Sequence, residues 1–480
     1  MSDHSQSGGT TSVLSPQQII EAALAASRTD GCVVVVRATG EANVRWANNT
    51  VTTSGLAASL SWFVVAVDGR TAGTQAGSAV DAASAAAVAE VVAAAESAAR
   101  SAAASGPARD AQPLVEPGSG SGVDADFGDA PADESFGVYD SLLPGLGAAF
   151  DGARSASRIL YGFARHELTT TYLGSSTGLR RRWVQPTGTL EVNAKSSDLT
   201  RSSWAGASTA DFTDVDVESM ADDLTRRLGW ADRTVQLEAG RYDTVLPPTS
   251  VADFLIHLAW SAGARAAYEG RSAFSAPGGG VKIGERLSER ALELYSDPAE
   301  PGIESSPFVA VESSGFDGEV SVFDNGAPIE RASLVKDGRI HSLVHTRATA
   351  AEYGVPATLP GDNLVLRGGD ESRGIDELVA GVDRGLLVTS QWYLREVDPM
   401  TMLLTGLTRD GVYLIEHGEV TGAVNNFRFN MSPLDVLRRA SDIGGTQRCL
   451  SREWSDWFTR SSMPAMRIDG FHMSSVSKAQ

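Results

Sequence analysis

The spacing of strand-forming runs across the second half of the chain constrains the fold most. Residues 308–312, 320–324, 340–346, 386–389, 412–416 and 419–427 are short runs with apolar or alternating character. Between them stand Asp324-Asn325-Gly326, Lys336-Asp337-Gly338 and His417-Gly418, the residue types that tight turns require. Helical periodicity stands out at one place, residues 250–269, with Val251, Phe254, Leu255, Leu258 and Ala262 as its apolar stripe. A chain so punctuated predicts a β-rich domain with one prominent helix, from about Arg233 to the end.

The first 232 residues read differently. Ser15, Pro16 and Gln18 form a helix start, with a capping-box spacing. That helix runs to about Ala26, where Thr29-Asp30-Gly31 stops it. Strands are predicted at 33–36, 43–53, 60–67 and 71–75, with Asp68-Gly69 as a hairpin turn, and an alanine-rich helix at 81–102. The order is α-β-β-β-β-α. A helix at 142–164, strands at 167–172, 180–185 and 189–195, and a helix at 217–228 ended by Gly229 follow. The fold class is therefore α+β: an N-terminal α/β sandwich-like domain (1–232) and a β-rich C-terminal domain (233–480). Residues 106–137 carry seven acids and one base among Gly, Pro, Ala and Ser. They read as a mobile acidic loop, and Arg180-Arg181-Arg182 reads as a solvated strand edge.

Composition removes several functions. Forty Lys and Arg against sixty Asp and Glu give a net charge of −20, which opposes nucleic-acid and anionic-membrane binding. Two cysteines, Cys32 and Cys449, make neither a disulfide framework nor a cysteine-rich zinc module. They fit a reducing compartment. The polar stretch 1–11 has no apolar signal core. A cytoplasmic location is the expectation.

Motif searches are mostly negative. There is no P-loop and no G-x-S-x-G elbow. Gly278-Gly279-Gly280 precedes Val281-Lys282-Ile283 and not a phosphate-binding helix start. His341 and His345 are the one close pair among seven histidines. On a strand they stand two pleats apart, about 13 Å, too far to share a metal.

An ordered series of segments carries a resemblance. Leu237-Glu238-Ala239-Gly240-Arg241-Tyr242-Asp243-Thr244-Val245-Leu246-Pro247-Pro248 comes first, then Arg290-Ala291-Leu292-Glu293-Leu294-Tyr295-Ser296-Asp297-Pro298. Phe323-Asp324-Asn325-Gly326-Ala327-Pro328, Val335-Lys336-Asp337-Gly338-Arg339-Ile340 and Thr346-Arg347-Ala348-Thr349-Ala350 follow. The most distinctive is Thr405-Gly406-Leu407-Thr408-Arg409-Asp410-Gly411-Val412-Tyr413-Leu414-Ile415-Glu416-His417-Gly418-Glu419-Val420. Together they resemble the TldD/PmbA family of metallopeptidase-related proteins. Its catalytic type carries a helical His-Glu-x-x-x-His zinc motif, with a cysteine near the C-terminus as a further ligand.

In the matching helix His257 stands at the first histidine, Leu258 replaces the glutamate and Ala262 replaces the second histidine. Leucine neither binds a metal nor takes a proton from water. Cys449 falls near the family's cysteine, but Leu450-Ser451-Arg452-Glu453-Trp454 replaces the glycines that usually follow it. The resemblance thus implies a PmbA-type (TldE-type) subunit without a zinc site, inactive alone, with His257 and Cys449 as remnants of the ligand set. It implies zinc in a TldD-type partner and an extended, small or unfolded peptide as substrate inside a shared cavity. Two alternatives stay open: a stand-alone hydrolase with a relocated site at His257, Glu269 and Glu285, and a non-enzymatic scaffold homodimer.

Overall fold

A computed structural model describes residues 13–118 and 122–477; the polar stretch 1–11 lies outside the described residues. The protein is α+β, two sheet-centred bodies each built around helices. In the first, α1 (Pro16–Ala26) starts with the expected capping box: Gln18 N donates to Ser15 Oγ, and Ser15 N donates to the Gln18 side chain. Then come β1 (Gly31–Ala47), β2 (Thr50–Asp68), β3 (Thr71–Ser78) and α2 (Ala85–Ala102). They are followed by α3 (Leu142–Ser155), β4 (Arg158–Ser175), β5 (Arg180–Ser196), β6 (Ser202–Thr209) and α4 (Val217–Trp230). The strands form one antiparallel sheet in the order β3-β2-β1-β4-β5-β6.

Four predicted N-terminal strands are three. The runs at 33–36 and 43–47 belong to one 17-residue strand, and the turn falls at Asn48 and Asn49. Both asparagines adopt positive φ, 53° and 58°, a region their short polar side chains tolerate. Asn49 fixes the turn by donating to Arg158 O and accepting from Leu160 N. The helix predicted at 142–164 stops at Ser155, because those same residues begin β4. The strands predicted at 180–185 and 189–195 run on as one, and α4 continues past Gly229 to Trp230.

The start of β1 is covered on both faces, which explains its unbroken valine run. Val34, Val36, Val64 and Ala66 pack under α1 and α2. On the opposite face Val33, Val35, Phe63 and Val65 pack against Phe308, Val322 and Phe323 of the second body. That contact corrects two expectations. Residues 308–312 and 320–324 are not strands: Phe308 makes an isolated bridge to Pro328, and Val322–Asp324 is a single 3-10 turn. Their apolar side chains serve the junction between the bodies.

Residues 119–121 of the stretch expected to be a mobile acidic loop lie outside the described residues; its described parts lie against the sheet. Asp124 and Asp126 pair with Arg181 and Arg182, Glu134 with His166, and Phe127 is buried. Tyr172 Oη donates to Asp129 O, and Thr177 Oγ1 to Val115 O. The three arginines read as a solvated edge are thus pairing partners on an inner strand; Arg180 reaches Glu21. The acids looked unpaired in sequence because their partners lie 32 to 57 residues away.

In the second body a fourteen-stranded sheet curls around α5 (Pro248–Trp260). Strands Gly240–Leu246, Arg384–Val388 and Ser461–Val476 lie at its centre. Phe254 packs against Phe429 and Phe471. The helix predicted at 250–269 is two: α5 ends at Trp260, and α6 (Ala264–Tyr268) follows. Between them Ala262 and Ala264 exchange backbone hydrogen bonds with Val344. The strand expected at 340–346 stops at Ile340 for the same reason.

Helix α2 sits so close to β3 that a Cβ on Gly73 would run into the backbone of Ala95 and Ala99. Gly73→Ala is expected to lower the unfolding free energy by about 2–3 kcal/mol, measured by urea denaturation. An unchanged midpoint would contradict this close approach.

Candidate functional site

The residues singled out by the family resemblance sit on and beside α5. Pro248 opens the helix without needing an N–H partner. Ser250 to Ile256 are all buried, so the helix is chosen for packing on nearly every side. Leu258 is 1% exposed and belongs to the main core cluster. Ala262 is equally buried but lies beyond the helix end, in the connection held by Val344. Where the family motif needs a base and a second imidazole, this chain has two core positions.

His257 lies near the exposed end of α5. Its Nε2 is 3.3 Å from Glu396 Oε2, and its ring stacks on Trp454. Cys449 lies at the other end: its Sγ is 3.5 Å from Pro248 O and 3.4 Å from Ser461 Oγ. His257 stands nine positions after Pro248, about 13 Å along the helix. The two remnant ligands therefore cannot meet on one ion, and the residues present do not fit a zinc centre. Among the described residues no group of three or more His, Cys, Asp or Glu could hold a metal.

The relocated-site residues are not brought together either. Glu269 pairs with Arg109 and Arg271, Glu285 with Arg438, and each interaction is separate from His257. His345 is buried against Tyr268 and Tyr353 and its basicity is lowered by that burial; His341 is exposed.

Below α5 lies a buried polar cluster that sequence reading missed. Asp253 Oδ1 accepts from Ser451 Oγ at 2.5 Å and from Glu453 N at 3.1 Å. Glu453 in turn accepts from Tyr393 N and Leu394 N, and Trp454 Nε1 donates to Asp253 O. The cluster ties residues 451–454 to the helix, which is what positions Trp454 against His257. Burial pushes the Asp253 carboxyl up to about 7, against the two hydrogen bonds that favour its charged form. Ser451 and Asp253 lack an adjoining histidine and are closed off from solvent, so the pair is no nucleophile.

Beside the exposed end of α5 a cleft of about 740 Å³ opens between the bodies. Thr169, Trp183 and Gln185 from the first sheet form one wall; Trp260, Trp457 and Phe458 form the other. Trp457 is 71% exposed. Arg460 crosses the cleft, donating to Asp362 at 2.6 Å and to Thr187 Oγ1 at 2.6 Å. Arg37 lines it too, held by a 2.6 Å hydrogen bond to Ala310 O. The cleft offers aromatic faces and hydrogen-bonding groups but no nucleophile with an adjoining base. Trp183, Trp260 and Trp457, which line it, are the sequence signal that could have pointed to it. Cys449 lines a different cleft, of about 420 Å³.

Residues 239–475 match the PmbA/TldA metallopeptidase C-terminal domain, and residues 134–231 match the PmbA/TldA metallopeptidase central domain. A protein of Archaeoglobus fulgidus described as a metalloprotease is 24% identical over 189 residues, 39% of this chain. The chain covers 36% of the length of that relative. The crystal structure of TldE from Thermococcus kodakarensis superposes with a TM-score of 0.71 at 16% identity, covering 95% of this chain and 99% of that one. A Bacteroides thetaiotaomicron protein described as a candidate modulator of DNA gyrase gives 0.71 at 16% identity, covering 96% and 98%. At such identities the two structures speak to the fold alone.

Two measurements follow. The folded-state Asp253 value lies above the ordinary carboxyl value of about 3.9, so the native state holds an extra proton between about pH 4 and pH 7. Stability from this group therefore falls as pH rises through that window. Asp253→Asn keeps an acceptor for both hydrogen bonds and has no proton to lose. Its unfolding free energy should gain on the parent's from about pH 4 to about pH 8; parallel curves would contradict the buried acid. Burial also pushes the thiols up, Cys449 to about 12 and Cys32 to about 11. The native chain should show no thiol reactive toward a disulfide reagent at neutral pH, and two after unfolding. A fast-reacting Cys449 would point to a ligand-like thiolate.

Proposed function

Because the chain belongs to the TldD/PmbA family of metallopeptidase-related proteins, we propose that it is the subunit without a zinc site in a two-subunit, cytoplasmic peptidase. The observation that carries this reading is the fate of the motif on α5. Leu258 has become core, and the helix ends before Ala262. His257 and Cys449 are tied to opposite ends of that helix. A chain that keeps the family's fold while filling the catalytic position with packing has a use for the fold other than hydrolysis.

That use is to supply one wall of a chamber whose zinc is held by a related, TldD-type chain. The cleft beside Trp260 and Trp457 suits a small or unfolded peptide in extended form. Aromatic faces take apolar side chains, and polar groups on Gln185, Thr169 and Arg460 meet its backbone. Nothing in this wall needs to be a nucleophile or a base. Its part is to bind and orient, and to exclude water from the bound segment.

The test is reconstitution with a zinc-bearing relative. A complex should elute as one species, and peptide cleavage should exceed that of either chain alone. Trp457→Ala should raise the peptide KM of the complex at least about tenfold with little change in kcat, as expected for lost binding made equally in ground and transition states. Failure to form a complex and absence of any gain in cleavage would dismiss this function.

A further inference from the structure

Six charged side chains line the cleft beside Trp260 and Trp457, and the protein neutralises only some of them. Glu167 pairs with Arg165 at 2.7 Å, and Asp362 with Arg460 at 2.6 Å. Asp456 is exposed and keeps its water. Arg37 and Glu319 are left, one cation and one anion, each half-buried.

Arg37 stands on β1, in the wall that the first body gives the cleft. A guanidinium has donors on all three of its nitrogens. Among the described residues Arg37 makes one side-chain hydrogen bond, to Ala310 O at 2.6 Å, and no ion pair. The Phe63 ring lies against it, its centre 5.6 Å away. Burial lowers the basicity of Arg37, and the exposed Glu312 offsets this only in part. Such a cation has lost water without gaining a counter-charge, which is unfavourable until a ligand supplies one. Thr171, directly across the ladder on β4, lines the same wall with a hydroxyl that has no partner among the described residues.

Glu319 is the reverse case on the opposite wall. It stands beside Gly263, in the connection after α5. Its Oε2 is closed off from solvent and accepts no hydrogen bond. Among the described residues no Lys, Arg or His forms an ion pair with it. Arg37 and Glu319 thus share one cleft without neutralising each other.

We infer that the cleft takes a short peptide with both ends free, its C-terminal carboxylate at Arg37 and its amino terminus at Glu319. The sign of each charge fixes which end it receives. Between them, Trp183, Trp260 and Trp457 offer faces for the peptide's apolar side chains. A segment inside a long chain would leave both charges unmatched. A lone anion or a lone amine would match one and leave the other. This narrows the substrate class of the proposed function, and it rests on that reading's placement of the peptide in this cleft.

Isothermal titration calorimetry on the full chain alone tests it, with Ala-Leu-Ala-Leu free, N-acetylated, C-amidated, or capped at both ends. At about pH 6.5 both free ends are charged, since the amino group titrates near pH ~8. The free form should bind at least about tenfold tighter than either singly capped form, as expected for a charge-assisted pair. Arg37→Gln should remove the effect of amidation and keep that of acetylation. Glu319→Gln should do the opposite. The doubly capped form should bind the parent and both variants alike, which shows that each cleft is folded. Equal affinity for the free and doubly capped forms, no binding of any form, or an effect of capping that survives in the matching variant would each overturn the inference. The measurement needs no second chain. Failure to assemble with a zinc-bearing relative would therefore dismiss the proposed function and leave the preference for free ends standing, and loss of that preference would leave the role as a chamber wall untouched.

Discussion

Burial of α5 on nearly every side is the constraint on which the C-terminal body depends. A helix wrapped by a sheet must be apolar almost all round, and Val251, Phe254, Leu255 and Leu258 meet that demand. The price is chemical. A general base at position 258 would be a carboxylate in the core, with no solvent and no partner. The chain already carries one buried acid, Asp253, and needs Ser451, the Glu453 amide and a raised proton affinity to keep it there. Chemistry and packing compete for the same helix, and in this chain packing prevails.

The N-terminal body depends on a different constraint, a sheet covered on both faces at one end only. Where α2 and the junction residues Phe308 and Phe323 sandwich it, every side chain of Val33–Val36 is buried. Farther along, α3 and α4 cover one face near Trp46 and Leu160, while the outer half of β2 stays bare. The acidic strap runs along this sheet and meets it by paired charges and a buried Phe127. The junction also forms the cleft, since Thr169 and Trp183 come from one body and Trp260 from the other.

Local chemistry made much of this legible. Ser15, Pro16 and Gln18 gave the start of α1, and Asp68-Gly69 the β2–β3 turn, because both signals are complete within a few residues. The strand at 412–416 ends where expected for the same reason. Longer-range causes stayed hidden. Asn48-Asn49 reads as strand until β4 supplies the groups that hold it. The helix break after Trp260 is set by Val344, more than eighty residues on. The acids at 124 and 126 looked solvated until β5 brought Arg181 and Arg182 beside them. At the site, the substitutions Leu258 and Ala262 were visible in sequence. The Asp253 cluster was not, because Ser451 and Glu453 join it from a distant loop.

The claim at the centre is that this fold has given up the metal while keeping the architecture around it. Elemental analysis of the purified chain, made in medium supplemented with zinc and then dialysed, tests it most directly. Binding at a closed structural or catalytic site would leave about one zinc per chain after dialysis. No retained zinc is expected here, for the parent and for His257→Ala alike. About one tightly held zinc per chain, lost on His257→Ala, would contradict it.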